Sequence, residues 1–156
     1  MTDESQFLLV ILGVLVALVA LVGGAVSARR RFLVVSVAGD SMVPSLVHGD
    51  RLLVRRTHRF RAGDIVVAHH QEGGPRAAAP GSGASDWLVK RVVALPGDQV
   101  PQAVVPVVGD QVRRVPAGMT VLLGDNSGSV DSRRWGFVPV RDIEGVMVRR
   151  LASGGS

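Results

Sequence analysis

Between Phe7 and Val26 the chain runs for twenty residues without a charged side chain: Phe-Leu-Leu-Val-Ile-Leu-Gly-Val-Leu-Val-Ala-Leu-Val-Ala-Leu-Val-Gly-Gly-Ala-Val. About 20 apolar residues in helical conformation cross the hydrocarbon core of a bilayer. The expectation is a single transmembrane anchor at residues 7–26, between a short tail at 1–6 and a basic juxtamembrane segment at 27–31. A cleaved secretory signal is the competing reading, and Val26-Ser27-Ala28 has small residues where a cleavage site would want them. However, Met1-Thr2-Asp3-Glu4-Ser5-Gln6 is acidic rather than basic, and the run is long for a signal core. A retained anchor is therefore the reading adopted. Arg29-Arg30-Arg31 follow the run, and by the positive-inside tendency they would place the next domain in the cytoplasm.

Roughly 125 residues remain after the anchor, enough for one core. They read as short β-like runs divided by Gly, Pro and Asp: Phe32 to Ala38, Arg51 to Arg55, Ile65 to Ala68 and Trp87 to Leu95. Further runs are Gln99 to Val108, Gln111 to Val115, Thr120 to Leu123, Gly136 to Val140 and Ile143 to Arg149. No stretch sustains a helical period. Residues 69–86, with Gln71-Glu72-Gly73-Gly74-Pro75 and Ala77-Ala78-Ala79-Pro80-Gly81, have no apolar period and read as a flexible loop between paired strands. The expected architecture is mostly β over 32–150, with a disordered tail at 151–156.

Composition removes several functions. With no cysteine there is no disulfide framework, thiolate metal site or Cys nucleophile. The net charge of +5 comes from scattered arginines, and four Phe, two Trp and no Tyr argue against nucleic-acid binding. Anionic lipid headgroups are a simpler partner for that charge. The four histidines lie in a turn (His48), between arginines (His58) and beside the loop (His69, His70), and suit neither a metal site nor a triad. No metal or cofactor is expected.

Of eighteen Lys plus Arg, seventeen are Arg and one is Lys90. Arg cannot give up its proton in a protein, whereas a desolvated Lys can become a base near neutral pH. In the run Trp87 to Leu95 a period of two places Lys90 on one face with Leu88, Val92 and Ala94, all apolar. An edge lysine that snorkels to water is the bland alternative. Ser41 follows Gly39-Asp40 directly after a β-like run, and Pro44 favours an extended Val43, so the serine is expected at an exposed bend with a fixed backbone. A serine with a neutral amine within reach has the parts of an activated nucleophile.

Ser41-Met42-Val43-Pro44-Ser45-Leu46 resembles the nucleophile box of the type I signal peptidases, and Lys90-Arg91-Val92-Val93-Ala94-Leu95-Pro96-Gly97-Asp98 resembles their general-base box. Gly124-Asp125-Asn126 with Ser129-Val130-Asp131-Ser132-Arg133-Arg134-Trp135-Gly136 resembles their third box. The ordered set spans about residues 35 to 148. Gly-Asp-Ser-Met looks closer to the Gram-positive and actinobacterial form. The resemblance implies a compact antiparallel, barrel-like catalytic domain held on the outer membrane face by one span; we follow it on sidedness against the arginine flank. It further implies Ser41 as nucleophile, Lys90 as general base, Ser129 as the hydroxyl that orients the base, and Asp131 with Arg133 as a bracing pair. Gly39 replaces the serine that donates to the oxyanion in Gram-negative members, which leaves the Ser41 backbone N–H in that role. Pro44 supports the turn, and Met42 is expected either to line a shallow pocket for a small substrate residue, or to touch lipid, or to pack in the core. Asp125 and Asn126 are expected to serve their own turn.

The function implied is removal of signal peptides from exported preproteins after small residues, by a serine endopeptidase without cofactors. Three rivals stand beside it: a dedicated maturation protease of the same family, a self-cleaving Ser/Lys repressor-type protein, and an inactive membrane-tethered β domain that binds a partner.

Overall fold

The computed structural model describes residues 3–69 and 87–152, and their contacts divide the chain into two units, Met1–Leu33 and Val34–Ser156. In the first unit a continuous helix, α1 (Asp3–Arg31), takes in the whole uncharged run. At about 1.5 Å per residue it is about 43 Å long. Its described leucines and valines, from Leu8 to Val22, are largely exposed. Among the described residues no helix is long and apolar enough to cross a membrane. A span at 7–26 is thus an expectation that the fold itself does not establish. The side chains of residues 25–30, including two of the three flanking arginines, lie outside the described ones.

The rest is β, as expected. Seven strands, β1 (Phe32–Ser36), β2 (Arg51–Arg56), β3 (Ile65–His69), β4 (Trp87–Ala94), β5 (Met119–Leu123), β6 (Val138–Pro139) and β7 (Ile143–Ala152), form one sheet in the order β1-β2-β7-β3-β4-β5-β6. The pairs from β2 to β6 are antiparallel. The last strand inserts between β2 and β3, so the C-terminal end of the domain is tied into its middle while β1 lies at one edge. Strands β3 and β4 pair from Ile65↔Arg91 to His69↔Trp87, and the rings of His69 and Trp87 lie 4.3 Å apart. Of the flexible loop expected at 69–86, His69 instead ends β3 and residues 70–86 lie outside the described residues, as do 153–156 of the expected tail; β7 itself continues to Ala152.

Three expected strands are corrected. Gln99 to Val108 contributes only an isolated bridge, Gln99↔Arg114, and then a helical turn, α2 (Val105–Val108). Pro101 and Pro106 cannot donate to a ladder, and Pro106 is tolerated in the first turn of a helix. Gln111 to Val115 supplies the partner of that bridge and no strand. Of Gly136 to Val140 only Val138–Pro139 pairs, because a helical turn, α3 (Ser132–Trp135), precedes it.

In β4 the alternation predicted from sequence is present from Lys90 onward: Lys90, Val92 and Ala94 are buried while Arg91 and Val93 are more exposed, but Val89 is buried as well and Leu88 only half-buried. Val92 packs with Val66, Ala68, Leu122, Val138 and Ile143, and Trp135 lies against this cluster. Ala94, past a register shift against β5, belongs to a second cluster with Val100, Val104, Val115 and Val121. Lys90 therefore sits at one end of a packed apolar stripe. The segment between β1 and β2 and the loop after β5 carry the other candidate residues.

Candidate active site

The segment between β1 and β2 is pinned before it reaches Ser41. Val37 exchanges backbone hydrogen bonds with Asp50 (2.8 Å) and Gly49 (2.9 Å). The buried Asp50 carboxylate accepts from the Val47 N–H and the Arg150 guanidinium, both at 3.0 Å. Gly39 adopts φ +78°, a conformation that favours glycine, and donates its N–H to His48 Nδ1 at 3.0 Å. Ser41 then opens a tight turn closed by Val43 N–H to the Asp40 carbonyl (3.2 Å) and Leu46 N–H to the Met42 carbonyl (2.9 Å). The Val43–Pro44 peptide within it is cis. Leu46 and Met42 are buried. Met42 is wholly inaccessible and lines no part of the cavity described below, so it acts as a core peg under the turn.

The loop after β5 meets this turn directly. Asn126 donates its backbone N–H to the Ser41 carbonyl and its Nδ2 to the Asp40 carbonyl, each at 3.1 Å. Its Oδ1 accepts from the Gly128 N–H at 2.9 Å, the local Asx bond that was expected. A Cβ on Gly124 would overlap the Ser129 side chain and the Ser41 carbonyl, so only glycine lets the two segments approach this closely. The Ser129 N–H bonds the Asn126 carbonyl at 3.1 Å, which ties the third box to itself as well as to Ser41.

Lys90 is buried, with 3% of its surface exposed, and donates from Nζ to Ser129 Oγ at 3.0 Å. Burial lowers its pKa from 10.5 to about 8; the Asp131 carboxylate opposes the shift and the Arg133 guanidinium assists it. Asp131 is fully buried, and burial alone would raise its carboxyl. Hydrogen bonds from the Arg133 side chain, the Gly124 and Arg133 N–H groups and the Ser129 hydroxyl outweigh that and hold it below the usual carboxylate range. The pair is bidentate, with Arg133 Nε to Oδ1 at 2.9 Å and Nη2 to Oδ2 at 2.6 Å. Arg133 Nη2 also reaches the carbonyls of Gly124 (3.1 Å) and Asn126 (2.9 Å). The expected brace is thus present, and it also holds the loop that touches Ser41.

These residues surround an open cavity of about 490 Å³. Ser41, Lys90, Asn126 and Ser129 line its polar side and Ala38, Leu88, Val130 and Trp135 its apolar side, with Asp40 and Gly128 at the same wall. Among the described residues no histidine lines it and no cluster suited to a metal ion occurs.

Arg91 has a role that was missed. On the opposite face of β4 it donates Nε and Nη2 to Asp125 at 2.8 and 2.6 Å, Nη1 to the Gly63 carbonyl at 2.8 Å and Nη2 to Ser45 Oγ at 3.3 Å. The hydrogen bond from Arg91, opposed by burial and aided by Ser45, keeps the Asp125 carboxyl below its ordinary range. Asp125 therefore braces β4 against the loop instead of serving its own turn. A charged residue adjoining Lys90 in an otherwise apolar strand was the available signal.

The family described as signal peptidase, peptidase S26, matches residues 7–105 and 101–152. The chain is 34% identical over 136 residues to a probable signal peptidase I-1 of Synechocystis, covering 70% of this chain and 65% of that one. It is 32% identical over 137 residues to a signal peptidase I of Leptolyngbya laminosa, covering 74% and 66%. To the mitochondrial ATP-independent inner membrane protease subunit 1a of Arabidopsis thaliana it is 34% identical over 123 residues, covering 74% and 67%. The chain thus spans just under two thirds of the length of the two cyanobacterial relatives. Relatives come from cyanobacteria, a plant and Bacillus, and do not single out a Gram-positive or actinobacterial form. By the extent of these matches, the chain belongs to the signal peptidase, peptidase S26, family.

Proposed function

We propose that the protein is a membrane-anchored serine endopeptidase that removes signal peptides from preproteins after small residues, with Ser41 as nucleophile and neutral Lys90 as general base. The observation that carries this reading is one cavity wall holding Ser41 together with a buried lysine hydrogen-bonded to Ser129. Relatives named signal peptidase I support the substrate class.

In the mechanism, the Lys90 amine donates one N–H to Ser129 Oγ, while the Ser129 hydroxyl is turned to Asp131. This arrangement leaves the amine lone pair free for the Ser41 hydroxyl. Lys90 takes the Ser41 proton as Oγ bonds to the scissile carbonyl carbon. The resulting oxyanion is met by the Ser41 backbone N–H, whose peptide plane is held by the bonds from Val43 N–H and Asn126 Nδ2 to the Asp40 carbonyl. The C–N bond then breaks, and Lys90 ammonium returns the proton to the leaving amine. Water, deprotonated by Lys90, hydrolyses the Ser41 ester. Lowering the pKa serves this cycle: at pH 7 about one amine in ten is neutral with a pKa near 8, against about one in three thousand at 10.5.

Anchoring is part of the proposal. It rests on the charge-free run at 7–26 and on α1, whose described apolar side chains are exposed. In this reading the catalytic unit of a single-pass protein faces outward, as the family resemblance implies, and the anchor raises the local concentration of tethered substrates.

The test is cleavage of a preprotein with an Ala-x-Ala site by detergent-solubilised protein, with Ser41→Ala and Lys90→Arg alongside. Arg keeps the charge but cannot act as base. Cleavage after the small residue by wild type and by neither variant supports the proposal; cleavage by Lys90→Arg at the wild-type rate overturns it.

A further inference from the structure

Asp40 stands directly before Ser41, and its residue forms part of the wall of the same cavity. Its backbone is fixed, because its carbonyl accepts from Val43 N–H at 3.2 Å and Asn126 Nδ2 at 3.1 Å. Its carboxylate is different from the other acids of the site. Asp125 is engaged by Arg91 and Asp131 by Arg133, whereas no described cation pairs with Asp40, which is exposed. Asp40 is also absent from the charges that act on Lys90, where Asp131 and Arg133 are the neighbours that count. Asp40, its backbone fixed and no described cation paired with its carboxylate, therefore stands in the wall of the space beside Ser41 and apart from the base.

We propose that Asp40 is a specificity-determining residue, its exposed carboxylate beside Ser41 reading the charge of the substrate residue that flanks the scissile bond and favouring Lys or Arg there over Asp or Glu. This inference rests on Ser41 being the attacking residue in this cavity. Attraction of a cation and repulsion of an anion act in the same sense on the ratio. For solvent-exposed partners their combined effect is on the order of fivefold in kcat/KM. Such a preference weakens as salt shortens the Debye length.

The experiment uses the full chain in detergent and preproteins identical except for Lys, Gln or Glu on either side of the cleaved bond, competed in one reaction at low and high salt. Wild type is expected to prefer Lys over Glu at low salt and to lose much of that preference at high salt. Asp40→Asn is expected to bring the ratio close to one, and Asp40→Arg to invert it, with the pH at which Lys90 titrates unmoved. A ratio unchanged in Asp40→Asn overturns the inference, as does a moved pH profile with an unmoved ratio, which would make Asp40 a partner of Lys90. Cleavage of the Gln substrate separates the two levels. Wild type that cuts it without charge preference refutes the role of Asp40 alone, while wild type that cuts none of the three refutes the proposed function and this inference with it.

Discussion

Methionine at position 90 keeps an unbranched chain in β4 and removes the charge that the site has to bury. With a pKa near 8, Lys90 is still mostly protonated at pH 7, so the folded protein bears the cost of holding a cation away from water. The drop from 10.5 to about 8 is worth roughly 3 kcal/mol, at about 1.4 kcal/mol per factor of ten. Losing the bond to Ser129 Oγ takes back about 1 kcal/mol. Lys90→Met is therefore expected to be inactive yet about 2 kcal/mol more stable at pH 7, a rise of roughly 6–10 °C in Tm for a domain of this size. The pH dependence has a definite sign. Between about 8 and 10.5 the unfolded chain holds the Lys90 proton and the folded one has released it, so wild-type stability rises with pH across that window. The methionine advantage should be complete below pH 8, gone by about 9.5, and turned into a deficit of about 1 kcal/mol by about 10.5, where the neutral amine keeps its bond to Ser129. Thermal unfolding of both proteins at pH 7 and pH 10 measures it. A methionine variant less stable than wild type at pH 7, or a difference that ignores pH, would refute the burial argument.

Removing the hydroxyl in Ser129→Ala should lower kcat on the order of a hundredfold, since the amine loses its orienting partner, while costing only about 1 kcal/mol of stability; steady-state kinetics beside urea unfolding separates the two. Gly124→Ala places a methyl group into the Ser129 side chain and the Ser41 carbonyl, and is expected to destabilise by about 1–3 kcal/mol and to lose activity out of proportion to that cost. Asp131→Asn leaves Arg133 without its counter-charge and should cost about 3 kcal/mol at pH 7. Because the Asp131 carboxyl is held low, its contribution is present above the ordinary carboxylate range and is lost as pH falls through its own pKa. The penalty of Asp131→Asn should therefore shrink on acidification, as unfolding curves from pH 7 to pH 3 would record.

The parts of this site that were legible in the sequence are those written at short range. Lys90 among Leu88, Val92 and Ala94 is a period-two statement within one strand, and β4 buries that face except at Leu88, which is half-buried beside the cavity. Asp131 and Arg133 lie two residues apart, so their pairing needs only a turn. The bend at Ser41 follows from Gly39-Asp40 and Pro44, and its path is a tight turn that contains the cis Val43–Pro44 peptide. What stayed hidden depends on distant segments meeting. Arg91 and Asp125 are 34 positions apart and come together only because β5 pairs with β4 and returns its loop to that end. Asn126 reaches Asp40 across 86 positions, and no local rule predicts that. The insertion of β7 between β2 and β3 is likewise invisible to period or turn chemistry. Met42 illustrates a third case, since a methionine beside a nucleophile suits a pocket or a core equally, and only packing decides.

The central claim is that a neutral Lys90 takes the proton from Ser41, and the dependence of kcat/KM on pH tests it most directly. Measured on a preprotein with an Ala-x-Ala site in the full-length protein, the rate should climb with pH and reach half its plateau near pH 8, where Lys90 loses its proton. A half-maximal point near 6.5, the ordinary range of histidine, or a rate already flat across pH 6 to 9, would contradict the account and move the base away from Lys90.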